Sequence, residues 1–407
     1  MPRATYAAVV AISILTTGLI LTPSAADVPR VKNTKAALPP RTVRLEEQWR
    51  VGGENSDLLL GTITEATTDP EGNVYLLDTQ MCHVEVISPQ GEHLRTLSRE
   101  GDGPGEVRRP RDVVFLPDST IGLLELFPAK LVKVALDGEP RGSLIVGGES
   151  SPQTGFMAAS QCSHRGGTFL ISGTRSVQSE TGQERVMYLA GLADGGEEKV
   201  RFCESTMSLV FEKLKFVERE LQPIFHVASA VGPDGRVYTP QAWDWYAIEV
   251  FAPDGTLERV IEREFENRKR TPQELQRINA LYDASDRNTP YKIEREIEPS
   301  PPVIAALHVD PEGRLWVLHS RSDEDCPAGV MQAYDLFDPL GVYQQQVFVA
   351  CDGDPEFDGL TFLSDGRVLL IKGYVLAGLA RTDLGSVPLG EEEESAPLEI
   401  ICCSLAS

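Results

Sequence analysis

The sequence predicts an all-β fold, a six-bladed β-propeller with a short helical insertion, and three observations carry that expectation. A tight turn recurs six times, at Asp69-Pro70-Glu71-Gly72, Pro117-Asp118-Ser119, Arg165-Gly166-Gly167, Pro233-Asp234-Gly235, Pro311-Glu312-Gly313 and Asp365-Gly366. Each turn joins two short β-rich runs, and such runs separated by Gly, Pro and Asp turns at even spacing mark an antiparallel meander. Finally, Val43 to Val51 is an alternating strand with no repeat of its own, while the last repeat fades after about two strands.

The first repeat is the most complete. Val74 to Leu77 follows its opening turn, Val84 to Ile87 follows a second turn at Asp78 to His83, and His93 to Leu97 follows Ser88-Pro89-Gln90-Gly91. A glycine-rich connector, Gly101 to Gly105, leads to Val113 to Leu116, where the second repeat begins and runs on through Ile121 to Leu124 and Leu131 to Leu136. The third is degenerate, with Met157 to Cys162, Phe169 to Ser172 and Val186 to Leu192. A fourth (Ala228 to Val231, Val237-Tyr238, Ile248 to Phe251, Leu257 to Ile261) and a fifth (Ala305 to Val309, Leu315 to Leu318, Tyr334 to Phe337, Tyr343 to Phe348) are clear. The sixth holds only Leu360 to Leu363 and Val368 to Ile371. Runs apolar on both faces suit sheets packed between neighbouring sheets. Pairing the spare N-terminal strand into the sixth repeat would close the ring and cover its edges.

Two insertions interrupt the rhythm. Glu204 to Gln222 reads as an added strand or hairpin, with Leu209, Phe211, Leu214 and Phe216 spaced among charges. Asn267 to Pro302 carries a helix start: Thr271 as N-cap, Pro272 in the first turn and Glu274 completing a capping box. Leu275, Ile278, Leu281 and Tyr282 then share one face.

Residues 1–26 read as a cleaved signal peptide, because an apolar run from Ala7 to Leu21 follows Arg3 and ends at the small residues Ser24-Ala25-Ala26. Residues 27–41 read as a linker, 42–385 as the propeller and 386–407 as an acidic C-terminal tail. The expected location is periplasmic or extracellular, with no membrane span after cleavage. A net charge of -23 opposes binding to nucleic acid, whose phosphates are recognised by Lys and Arg. In an oxidising compartment, Cys162 with Cys203 and Cys326 with Cys351 are the expected disulfides, since each pair falls within one repeat.

The run Asp69-Pro70-Glu71-Gly72-Asn73-Val74-Tyr75-Leu76-Leu77-Asp78-Thr79, then Val84 to Ile87, Gly91 and Gly101-Asp102-Gly103-Pro104-Gly105-Glu106, resembles an NHL repeat. The whole is similar to secreted bacterial six-bladed propellers of the NHL and TolB-like superfamily, although Cys82-His83 stands where such repeats tend to carry a basic residue. The resemblance implies the fold. It implies no single activity, because the superfamily includes lyases, lactonases, sensors and binding scaffolds.

No nucleophile-elbow, zinc-protease or phosphate-loop motif occurs. Asp352, Asp354, Glu356 and Asp358 alternate in a loop that could gather oxygen ligands for Ca²⁺. Phe357 and Leu363 stand where an EF-hand needs Gly and Glu, so the loop reads as a connector and no cofactor is expected. His164, His226 and His308 read as structural, whereas His83 and His319 follow second strands. In a ring of four-stranded meanders, the loops after second strands share one rim with the connectors between blades. That rim would carry Asp78, Gln80 and His83, then Trp243 and Trp245, then His319 and Arg321, and finally Lys372 and Tyr374. These nine residues are the expected ligand-binding set, with the tryptophans as apolar contacts and Arg321 and Lys372 as charge. The expected function is a non-catalytic extracytoplasmic binding module for a peptide, glycan or protein partner. The alternative is a metal-dependent propeller hydrolase of lactonase type, or a lyase.

Overall fold

The computed structural model describes residues 28–54, 56–147, 155–286, 292–324, 326–375 and 397–405. The expected signal peptide lies outside them. Strands predominate, helices are few, and the sheets form a propeller-like ring. Among the described residues no helix is long and apolar enough to cross a membrane.

In chain order, β1 (Arg30–Asn33) and β2 (Arg41–Gly52) come first, ahead of a meander of β3 (Ile63–Thr68), β4 (Val74–Asp78), β5 (His83–Ile87) and β6 (His93–Leu97). The next is β7 (Pro110–Phe115), β8 (Thr120–Glu125), β9 (Lys130–Ala135) and β10 (Pro140–Ile145). A third follows with β11 (Phe156–Arg165), β12 (Thr168–Gln178), β13 (Gly182–Leu192) and β14 (Glu198–Val210). These are long strands, so the repeat that looks most degenerate in sequence builds a large sheet.

After β15 (Leu214–Val217) and the one-turn helices α1 (Glu218–Leu221) and α2 (Ile224–Val227), a further meander runs through β16 (Ala230–Val231), β17 (Val237–Ala242), β18 (Trp245–Phe251) and β19 (Leu257–Arg263). Its outer edge is covered by β1, parallel to β19, so the presumed linker supplies a strand. Helix α3 (Pro272–Asp286) begins with the expected reciprocal cap. The Glu274 N–H donates to Thr271 Oγ1 at 3.2 Å, and the Thr271 N–H donates to Glu274 Oε2 at 2.7 Å. Strand β20 (Ile293–Glu296) returns to pair with β15.

The remaining strands form one eight-stranded sheet. It contains β21 (Ile304–Val309), β22 (Leu315–His319), β23 (Val330–Phe337), β24 (Tyr343–Ala350), β25 (Gly359–Phe362), β26 (Val368–Lys372) and β27 (Glu399–Leu405), with β2 in the middle. Residues Arg41 to Arg44 of β2 run parallel to β24, and Leu45 to Gly52 run antiparallel to β27. Val43 to Val51 therefore lies beyond β25 and β26 as expected, but reaches them through β27. That strand falls in the segment assigned from sequence to the tail: Ile400 to Cys403 are buried, and an apolar run of this kind forms a central strand better than a solvated end.

The turns that define the repeat are held by their acidic residue. Asp69 accepts from the Asn73 N–H (2.9 Å) and from the Tyr75 hydroxyl (2.9 Å), and Asp310 accepts from the Arg314 N–H (2.9 Å) and from Trp316 Nε1 (2.9 Å). The carboxylate thus fixes the turn and satisfies an aromatic donor on the next strand. Gly72 and Gly313 sit at φ 82° and 78°, a region that a side chain disfavours.

Apolar clusters fill the space between successive sheets. Val84 and Val86 meet Val113 and Leu123, Leu131 meets Ile171 and Tyr188, and Leu189 meets Val237 and Phe251. Ile248 meets Leu315 and Val317, and the two halves of the eight-stranded sheet pack through Val347, Val349, Val368 and Leu370. Leu369, Ile371 and Ile400 then pack on Val74 and Leu76, which returns the ring to its first meander.

The expected disulfides do not form. Cys162 is on β11 and Cys203 on β14, with two strands between them. Three strand spacings of about 4.8 Å exceed the ~7 Å that a disulfide can span between Cα atoms. Cys326 Sγ donates to the Ser322 carbonyl at 3.2 Å, Cys351 Sγ lies 3.5 Å from Met331 Sδ, and all seven cysteines are thiols.

Candidate functional site

The rim residues expected to bind ligand are mostly engaged within their own loops. Asp78 is fully buried and accepts from the backbone N–H groups of Gly61 (2.7 Å), Thr62 (3.1 Å), Gln80 (3.1 Å) and Met81 (3.0 Å), so it is the anchor of its turn. Exposed Gln80 accepts from the Thr62 hydroxyl. His83 Nε2 lies 3.0 Å from Glu85, a buried carboxylate that also bonds His93 (2.6 Å) and Thr96 (2.8 Å); this contact raises the His83 pKa. Trp243 is only 6% exposed and donates through Nε1 to the Ser300 carbonyl at 3.0 Å, which makes it a packing residue. Trp245 is 43% exposed and lies under the Arg30 guanidinium at 5.4 Å.

Buried His319 lies 3.4 Å from Asp335, a carboxylate that accepts from the Tyr246 hydroxyl (2.7 Å), the Tyr343 hydroxyl (2.8 Å) and Arg263 (2.5 Å). This knot ties neighbouring sheets together. Arg321 pairs with Glu324 at 2.6 Å. Lys372 bonds the Asp352 carbonyl (2.7 Å) and Asp358 (2.8 Å), and Tyr374 packs over Gly359. Asp358 also receives the N–H groups of Asp354 and Gly373, both at 2.8 Å, so the acidic loop considered for Ca²⁺ is tied to itself and to Lys372. Among the nine residues, Trp245 lines a recess of about 450 Å³ with Lys32, Arg263 and Phe265.

The larger cavity lies elsewhere. About 880 Å³ is lined by the innermost strands of the ring, β3, β7, β11, β16, β21 and β25, together with the turns that follow them. It therefore occupies the axis of the ring, toward the turns rather than the connector rim. Strand edges facing the axis have no further strand to pair with, so their side chains and backbone groups are available to whatever enters.

Four ionisable groups on this wall stand out. Asp112, 7% exposed, accepts from the N–H of Cys162 (2.7 Å) and from that of Val113 (2.7 Å), and no cation among the described residues pairs with it. Burial pushes its pKa up to about 7. Arg165, at the end of β11, donates to the carbonyls of Val231 (3.5 Å), Val309 and Ser364 (3.1 Å), and so reaches from its own sheet to two others. Burial draws its pKa down without discharging it. His308 stacks on Phe362 with ring centroids 4.7 Å apart, and its buried Nε2 has no hydrogen-bond partner. Burial, and then the Arg165 charge, lower its pKa to about 4, so it is neutral. The Cys162 thiol is driven well above its ordinary pKa by burial and then by Asp112, which makes it a poor nucleophile.

Among the described residues, no three His, Cys, Asp or Glu side chains come together in a way that could hold a metal ion. What the wall can do is recognise charge: a carboxylate without a cation and a guanidinium without a carboxylate face one polar space. Sequence reasoning set His308 aside as structural and passed over Asp112. The available signal was a charged residue, Asp112, at the head of the apolar run Val113 to Phe115 on an innermost strand.

No protein-family model matches the sequence, and no curated protein matches it. Among solved structures, a protein of Bacteroides fragilis described as exported is similar over 93% of this chain and 100% of its own, at 11% identity and a TM-score of 0.51. The calcium-binding protein regucalcin of Agrobacterium tumefaciens is similar over 89% and 96% of the two chains, at 12% identity and a TM-score of 0.40. Virginiamycin B lyase of Staphylococcus aureus is similar over 81% of each, at 10% identity and a TM-score of 0.38. These neighbours are β-propeller proteins, and at such identities the likeness is one of fold alone.

Proposed function

We propose that this chain is an exported, six-bladed propeller that binds a small ligand in its axial cavity without acting on it chemically. Six blades follow if the eight-stranded sheet is counted as two, divided where β2 leaves β24 for β27. The apolar clusters between successive sheets support that count, and the apolar N-terminal run and the exported neighbour support export.

The observation that carries the binding reading is the axial cavity of about 880 Å³, whose wall includes Asp112, Arg165 and His308. Ligand pockets typically enclose 300 to about 1,000 Å³ and hold a few convergent polar groups. Catalysis is less well supported, since neutral His308 and the protonated Cys162 thiol are not arranged as a base and nucleophile. The rim set is less well supported as well, because its polar groups are engaged and Trp243 is buried.

The test is a thermal-shift and calorimetric screen of small peptides, sugars and amines on three proteins. Ser229→Trp fills the cavity, which Ser229 lines, and is expected to abolish binding while leaving the melting profile intact. Trp245→Ala is expected to bind as the parent does. The opposite pattern would return the site to the rim.

A further inference from the structure

The geometry points to a ligand class for the axial cavity: a short zwitterionic peptide, with its ammonium on Asp112 and its carboxylate on Arg165. This inference rests on the cavity being the binding site.

Buried charges in proteins are ordinarily paired, because an uncompensated ion in a low-dielectric interior is strongly unfavourable. Three acidic residues at the turns have such partners, while Asp69 is held instead by Asn73 and the Tyr75 hydroxyl. Asp234 pairs with Arg236, Asp310 with Arg314 and Asp365 with Arg367. Asp112 departs from that rule, holding only two backbone N–H groups. Its remaining acceptor capacity faces the space that it shares with Ser163 and Ser229. Arg165 departs from it in the opposite sense. The carboxylates nearest to it are committed to their own arginines, and its guanidinium rests on three carbonyl oxygens. A ligand carboxylate would accept a charge-assisted, bidentate pair from Arg165 in place of these weaker neutral acceptors.

The spacing selects for length. Asp112 is bonded to the N–H of Cys162, and Arg165 lies three residues further along the same strand. At about 3.3 Å per residue, the backbone points that hold the two groups lie roughly 10 Å apart along β11. An extended chain of three residues spans about the same distance, whereas a free amino acid is too short to reach both. His308 Nε2, buried on the same wall and without a hydrogen-bond partner among the described residues, is available to the peptide backbone. Phe362 beside it offers an apolar face to a side chain.

The experiment is isothermal titration calorimetry of the purified protein with trialanine, N-acetyl-trialanine and trialanine amide. Trialanine is expected to bind, and each capped form to bind about tenfold or more weakly, as is usual when one partner of a buried charge pair is removed. Asp112→Asn should abolish the distinction between free and acetylated N-termini, and Arg165→Met that between carboxylate and amide, with Arg165→Lys restoring part of the latter. The capped peptides test the inference on the unaltered protein even if Arg165→Met does not fold. Equal affinity for free and capped forms, or no binding of trialanine at millimolar concentration, overturns it. If another ligand binds and is lost in Ser229→Trp while trialanine does not bind, the cavity reading stands and the zwitterion inference falls. Binding undiminished in Ser229→Trp removes both.

Discussion

Asp112→Asn should raise the stability of the protein, relative to the parent, more at alkaline pH than in acid. The Asp112 carboxyl is buried, and its pKa rises to about 7, whereas in an unfolded chain an aspartate titrates near 3.9. Between those values the folded protein holds a proton that the unfolded chain has released, so the folded state loses stability as pH rises from about 4 to about 7. Above about pH 7 the loss is complete, and three pH units at ~1.4 kcal/mol each give a penalty on the order of 4 kcal/mol. Asparagine removes the charge, but both Asp112 oxygens accept an N–H, so the amide NH2 leaves one of those donors without an acceptor at every pH. The charge contribution is read from the difference between the two conditions: relative to the parent, the variant should be about 4 kcal/mol better placed at about pH 8 than at about pH 4. For a chain of this size that difference corresponds to a change in the melting-temperature shift on the order of 5 °C. Calorimetric scans of parent and variant at the two pH values measure it, and the self-repulsion of an acidic chain is common to both proteins and cancels in the difference. A shift of equal size at both pH values would refute the argument that Asp112 is an uncompensated buried charge.

Other expectations can be checked directly. Removing residues from Leu398 onward takes away β27 and bares the edges of β26 and β2; the truncated protein should elute as aggregate or lose its cooperative melt, and a monomer with the parent's transition would contradict that role. Trp243→Ala should cost about 3 to 5 kcal/mol in denaturant unfolding, as loss of a buried tryptophan does, whereas exposed Trp245→Ala should change stability by less than about 0.5 kcal/mol. The His83 imidazole, bonded to Glu85, should titrate above the ordinary histidine range by NMR, and Glu85→Gln should bring it down. Thiol titration in denaturant should find all seven cysteines reactive without reductant, and fewer would show a disulfide that the native geometry does not explain.

The sequence announced the ring clearly because each inner turn is a local device. Asp69 and Asp310 fix their turns and cap an aromatic residue only a few positions later, so the whole signal falls within one short window. The closure was half legible. Val43 to Val51 stood out as a strand without a repeat, but its partner β27 lies some 350 residues away, and nothing local in Ile400-Ile401-Cys402-Cys403 tells a central strand from an apolar tail. The cavity wall was hidden for the same reason. Asp112, Arg165 and His308 come from three sheets and meet only when the ring is closed. How the rim residues are engaged was hidden for a different reason. Loops after second strands do share one end of their sheets, but Asp78 and Lys372 are consumed by the backbone and carboxylates of their own loops, and which polar side chain is consumed cannot be read from one-dimensional spacing.

The way β2 is divided bears on how the molecule comes into being. Its first residues align with β24, and its later ones wait for Glu399 to Leu405 to arrive between them and β26. Contacts at such sequence separation form late, since closing so long a loop costs entropy before any pairing rewards it. Until β27 is in place, one meander lacks its third strand and the ring can neither shut nor form its axial cavity. A chain still lacking β27 would therefore stay open, its β2 and β26 edges unpaired, until that strand is in place.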